Sequence, residues 1–175
     1  MKKKVNTPKV SRKQSSAGFL PAAARGDVTK IRQLLDDGVL VNRANNRGET
    51  ALMHATLRGH LQCMQLLIDR GADVNAIAKG ADGRSAVAYA CMRSEVETLK
   101  LLLDRGGDVN ARGDEEMTPL MYACRFCKPA CVALLLERGA FPTLTDSRGD
   151  TALAYCQTEE IRKMVEDVTP DHVLK

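Results

Sequence analysis

Short apolar bursts at helical spacing alternate along the chain with polar stretches that carry glycine. After Thr50 comes a run rich in alanine and leucine, then the turn pair Gly59-His60, then a second run with Cys63, Met64, Leu66 and Leu67 at helical spacing. The pattern predicts two short antiparallel helices. The second closes at Gly71, where a glycine can take the left-handed conformation that ends a helix. The stretch between one helix pair and the next begins Asp-Val-Asn and passes through Gly48, Gly83 or Gly149, which reads as a β-turn finger. A helix N-cap is predicted at Thr50, Thr118 and Thr151, with Ser85 as the equivalent residue.

This unit repeats. "GADVNA" at Gly71–Ala76 returns as "GGDVNA" at Gly106–Ala111, with degraded copies from Gly38 and Gly139, so the leading glycines lie 33, 35 and 33 residues apart. A second marker keeps the same beat: "GETALMHA" from Gly48, "GRSAVAYA" from Gly83, "EMTPLMYA" from Glu116 and "GDTALAYC" from Gly149. Two markers in phase over four copies define a repeat architecture.

These residues resemble the ankyrin repeat. Thr118-Pro119-Leu120, Gly59-His60 and Gly71–Asn75 follow its pattern nearly letter for letter, while Met53 and Met121 replace its usual histidine and Glu116 its turn glycine. The resemblance covers roughly residues 18–168. It implies an all-α repeat solenoid of helix–turn–helix units with β-turn fingers, about five units and at most ten short helices. The outer two units act as caps. The first has its opening half reduced to "FLPAAA", and the last, from Asp146 to Val168, runs its helices together. In the last helix Ile161, Met164, Val165 and Val168 share one face and Arg162, Lys163, Glu166 and Asp167 the other, as a terminal repeat requires.

Composition then refines the picture. Aromatics make up only 3% of the chain, so Leu, Val, Ile, Ala and Met must build the core. The net charge of +4 is not spread over the surface. Lys2, Lys3, Lys4, Lys9, Arg12 and Lys13 fall in the first 18 residues with no acid among them, which leaves 20 basic residues against 22 acidic ones elsewhere. A domain-wide field for nucleic acid is therefore not expected. Residues 1–17 read as a disordered basic tail and residues 169–175 as a C-terminal tail. No run of apolar residues reaches membrane-spanning length, and no apolar segment follows the lysines as a signal peptide would demand. The expected location is the cytoplasm, with the nucleus open to it, and the six cysteines fit that place as free thiols.

Candidate chemistry is sparse. Cys124, Cys127 and Cys131 have a spacing compatible with zinc. Within the repeat, however, Cys124 aligns with Cys91 and Thr56, and Cys131 with Cys63 and Thr98, so the expectation is packing residues and no metal site. Only Cys127 falls outside the pattern. Of the three histidines, His60 holds the turn position, where it is expected to tie two loops together, and His172 lies in the tail. His54 shares its repeat position with Tyr89, Tyr122 and Tyr155, a row that reads as a packed or half-exposed ladder. No nucleophile–base arrangement can be assembled, and no phosphate-binding motif is present. The expectation is a protein without catalytic residues, cofactor or small-molecule substrate.

The resemblance places binding on the concave face, built from finger tips and the exposed side of the first helices. Mapped residue by residue, that surface holds Asn46, Arg47, Glu49, Leu57 and Arg58; then Ala81, Asp82, Arg84, Met92 and Arg93; then Asp114, Glu115, Met117, Arg125 and Phe126; and, on the cap, Ser147, Arg148 and Asp150. Arg25, Arg58 and Arg93 share one repeat position, with Arg125 one residue earlier, forming an arginine row beside the apolar anchors Leu57, Met92, Met117 and Phe126. Such a groove suits another protein that presents acidic residues around an apolar one. The alternative is a binder of nucleic acid or anionic membrane surface working through the basic tail.

Overall fold

The computed structural model describes residues 18–169, apart from 80–82 and 94–95 and the side chain of Asp114. The two tails assigned from the sequence fall outside it, except Thr169, which is buried and donates its hydroxyl to the Val165 carbonyl at 2.6 Å. Among the described residues there are nine α-helices: α1 (Phe19–Arg25), α2 (Val28–Asp36), α3 (Ala51–Leu57), α4 (Leu61–Asp69), α5 (Ala86–Arg93), α6 (Val96–Asp104), α7 (Pro119–Arg125), α8 (Pro129–Glu137) and α9 (Glu159–Glu166). The odd-numbered helices α1, α3, α5 and α7 pack one against the next in a first row. In the second row α2 lies against α4, α6 against α8, and α8 against α9. The fingers between units are pinned by isolated antiparallel bridges, Ala44 with Thr50 and Ile77 with Ser85.

The predicted caps explain where the first helices begin. Thr50 accepts a hydrogen bond from Met53 N, while its own N–H donates to the Met53 sulfur, both at 3.4 Å. Thr118 and Met121 repeat this at 3.3 Å. A thioether thus fills the reciprocal half of a capping box that usually needs Glu or Gln. Ser85 accepts from Ala88 N at 3.2 Å. Thr151 departs from the expectation and makes no side-chain cap, because the first helix of the last unit has shrunk to a 3-10 turn, Ala152–Tyr155. The cap moves to Thr158, which accepts from Ile161 N and starts α9.

The core is a continuous column of small and medium apolar side chains, since no unit covers its own apolar faces without a neighbour. Phe19 seals the first unit; Leu52, Leu67, Leu99, Leu120 and Leu135 recur above it, all essentially inaccessible to solvent. In the final unit Ile161 and Val165 face this column, with Met164 half-buried against it, while Glu159, Glu160 and Lys163 face water. Val168, expected on the apolar face, is instead 51% exposed, because it lies beyond the end of α9 and Thr169 turns inward.

Candidate protein-binding face

The first helices end on exposed arginines. Arg25 and Arg93 close α1 and α5, Arg58 caps α3, and Arg125 closes α7 one residue before Phe126. All four are solvent-exposed. Among the described residues, none of the four side chains makes a hydrogen bond or ion pair. Beside them Leu57 and Met92 are half-buried, and Phe126 is 39% exposed. These cations thus stand exposed at the ends of successive first-row helices. Arg47 and Asn46 stand exposed on the second finger, while Ala81 and Asp82 lie outside the described residues.

The finger residues that were assigned to the same surface behave differently. Arg84 is held over the Tyr122 ring, 5.5 Å from its centroid, with Nε donating to the hydroxyl at 3.4 Å. Arg148 lies over Tyr155 and donates to its hydroxyl, to Asp146 and towards Asp150. Glu49 accepts from Asn45 Nδ2 at 2.6 Å and lies 3.4 Å from His54 Nε2, close enough for attraction but out of line for a hydrogen bond.

Met117 corrects the sequence reading. It was assigned as an exposed anchor and is instead 2% exposed, inside the main core. Its repeat position, shared with Glu49, Arg84 and Asp150, is half-buried in the other copies, so an apolar side chain there enters the core. The preceding finger keeps the register of its neighbours: Gly113 N bonds the Met117 carbonyl as Asn45 N bonds that of Glu49 and Asp146 N that of Asp150. Its 3-10 turn, Asp114–Glu116, has Glu115 and Glu116 at φ of 53° and 59°. Glu116 takes the left-handed backbone that Gly48 and Gly149 adopt at the equivalent place.

The ring position is a packed ladder at its centre. Tyr89 and Tyr122 are buried, whereas His54 and Tyr155 are half-buried. The crevice among Glu49, Met53, His54, Leu57 and Tyr89 holds only about 10 Å³, too little for an organic substrate. His60 places Nε2 3.1 Å from the Ala24 carbonyl of the preceding unit, so an Nε2–H tautomer ties the two turns together. Its ring lies so close to Gly26 that an added Cβ there would meet Nδ1 at 2.8 Å.

Cys63, Cys91, Cys124, Cys131 and Cys156 are buried, and Cys127 is half-exposed at the turn after α7. Burial pushes the Cys91 and Cys124 thiols far up, and takes Cys131 to about 11 against the opposing pull of Lys128. These are thiols of a packed core. Among the described residues no three His, Cys, Asp or Glu side chains converge as metal ligands, and no helix is long and apolar enough to cross a membrane.

Comparison with known proteins places this architecture. A family model of ankyrin repeats, three copies long, matches residues 19–78 and 74–146. The ankyrin repeat protein YahD of Escherichia coli is 41% identical over 66 residues, 38% of this chain and 33% of YahD. The ankyrin repeat, SAM and basic leucine zipper domain-containing protein 1 of Dasypus novemcinctus is 31% identical over 134 residues, 70% of this chain and 26% of that protein. The E3 ubiquitin-protein ligase hecd-1 of Caenorhabditis elegans is 41% identical over 136 residues, 77% of this chain but 4% of its own length. The chain thus spans a third or less of these relatives, and what it shares with them is the repeat array. With that family model matching well over half of its length, the chain belongs to the ankyrin-repeat family.

Proposed function

We propose that this protein is a non-catalytic interaction module, an adaptor, scaffold or inhibitor, that binds another protein along the face of its fingers and first helices. Ankyrin repeats generally mediate protein–protein interactions. One observation carries the finer reading: Arg25, Arg58, Arg93 and Arg125 are exposed in a row, with no internal partner among the described residues, beside Leu57, Met92 and Phe126. Arginine and large apolar side chains are the groups that dominate interface energies. An acidic segment with an apolar residue at its centre fits this row, with Arg47 and Glu49 at its finger edge. Arg84, held on Tyr122, stands at the rim, whereas the charge of Arg148 is offset there by Asp146 and Asp150. The working place of such a module is the cytoplasm or nucleus.

The test is double charge reversal, Arg58→Glu with Arg93→Glu, in affinity capture with crosslinking. Each arginine contributes about 2 kcal/mol in a central contact, so additive loss weakens the complex roughly a thousandfold. Melting temperature stays nearly constant because exposed substitutions shift stability by only about 0.5 kcal/mol. Deleting residues 1–17 tests the alternative, in which the basic tail binds nucleic acid or anionic membrane. If the deletion abolishes binding, with a steep salt dependence, and the double reversal does not, the face is not the site.

A further inference from the structure

The outer face, formed by the second helices, is not uniformly closed. Whereas α2 packs on α4 and α6 on α8, α4 and α6 approach each other less closely. The result is a groove of about 740 Å³ across α2, α4 and α6, with Leu61, Leu66 and Leu101 in its lining. Leu61 is 40% exposed at the start of the central helix.

Two of the four charged side chains in the groove lining are already neutralised within the chain: Arg70 binds Asp36 at 2.9 Å and Asp69 binds Arg105 at 3.3 Å. Two are not. Arg32 on the α2 wall and Glu97 on the α6 wall make no hydrogen bond or ion pair among the described residues, and they stand on opposite sides of α4 with opposite sign. An interface between identical copies must be self-complementary, each patch meeting itself through a two-fold axis. A groove with one free cation on one wall and one free anion on the other satisfies that condition.

We propose that this outer groove is a homodimer interface in which a two-fold axis runs parallel to α4. That axis lays α2 of each copy over α6 of the other, pairs Arg32 with the second copy's Glu97 twice, and brings the two Leu61 side chains together near its centre. An axis perpendicular to α4 would set Arg32 on Arg32 and is disfavoured. A contact limited to three short helices per copy lies at the small end of specific interfaces, about 1,000 Å² in total, the size of weak and reversible associations. The finger face remains free, so the dimer presents two copies of the arginine row.

The test is sedimentation velocity of the full chain from about 1 to 300 μM, with circular dichroism as the control for folding. Wild type shows a monomer–dimer equilibrium, and Leu61→Asp abolishes it. Arg32→Glu and Glu97→Lys each weaken it at least about tenfold, and the double swap R32E/E97K recovers it to within about threefold, the signature of a direct pair. The finger-face variant R58E/R93E dimerises like wild type. A wild type monomeric throughout, a dimer indifferent to Leu61→Asp, or a double swap that fails to recover overturns the proposal.

Discussion

Asn75 and Asp108 are joined across a repeat boundary: Oδ1 of Asn75 accepts from Asp108 N at 2.8 Å, and its Nδ2 donates to the Gly106 carbonyl at 2.9 Å. Asn42 makes the same two bonds to Asp73 N and Gly71 O, and Asn110 to Phe141 N and Gly139 O. One side-chain amide thus satisfies a backbone donor and a backbone acceptor of the following unit. On the outer helices a second ladder, Asp36–Arg70, Asp69–Arg105 and Asp104–Arg138, keeps the same step. That ladder is partly exposed and contributes little, about 0.5 kcal/mol per pair and less in salt.

Asn75→Ala removes both bonds of one rung. The freed backbone groups are near the surface and regain water, so the expected loss is about 1–2 kcal/mol in urea denaturation. Thr143 occupies the same repeat position ahead of the shortened last unit, and its side chain makes no hydrogen bond among the described residues, so Thr143→Ala changes stability by no more than about 0.5 kcal/mol. Equal effects at the two positions would mean that the asparagine acts within its own finger and not between units.

The repeat, its register and the Thr50, Ser85 and Thr118 caps were legible because helix periodicity, Thr/Ser caps and terminal glycines are local signals, whereas the Thr151 cap was lost with the shortening of its helix. The exposure of Arg25, Arg58, Arg93 and Arg125 was legible because position in the repeat fixes it. Met117 was misread because its repeat position holds Glu49, Arg84 and Asp150 in the other copies, which suggests an exposed site although all three are half-buried, and an apolar side chain there goes into the core. The asparagine and Asp–Arg ladders had a signal that went unused, the recurrence of Asn42, Asn75 and Asn110 four residues after each glycine. The outer groove left no mark in the repeat pattern, because it depends on how closely α4 and α6 approach each other and not on any local signal.

Asp146 gives the last unit a distinct response to acid. Its carboxylate, 5% exposed, is held at about 2 against an ordinary value of 3.8. The Tyr155 hydroxyl is the largest cause, followed, against opposing desolvation, by the N–H groups of Asp150 and Arg148 and the Arg148 guanidinium. A carboxylate held low contributes stability that is full above its unfolded value and lost as pH falls through its folded value. Tyr155→Phe should therefore melt below wild type at neutral pH, and the gap should close between about pH 4 and pH 2. A gap that stays constant with pH would show that Tyr155 acts by packing alone.

Cys127 makes the final test, because it occupies a backbone conformation that its side chain disfavours. It has φ of 51° at the turn between α7 and α8, the place where Gly26 and Gly59 take 77° and 70°. A Cβ in the left-handed region costs about 1–2 kcal/mol, and a glycine returns most of that while adding some freedom to the unfolded chain. The only side-chain bond described for Cys127 is its thiol to Gln157 Oε1 at 3.7 Å, a weak one. Cys127→Gly is thus expected to stabilise the protein by about 0.5–1 kcal/mol, whereas Cys127→Ala, which keeps the Cβ and loses the thiol, gains nothing. Glycine is usually the worse choice beside a helix, so a Gly variant that outlasts the Ala variant in urea isolates the backbone term. If Ala proves the more stable of the two, the turn tolerates its side chain and the strain assigned to Cys127 is absent.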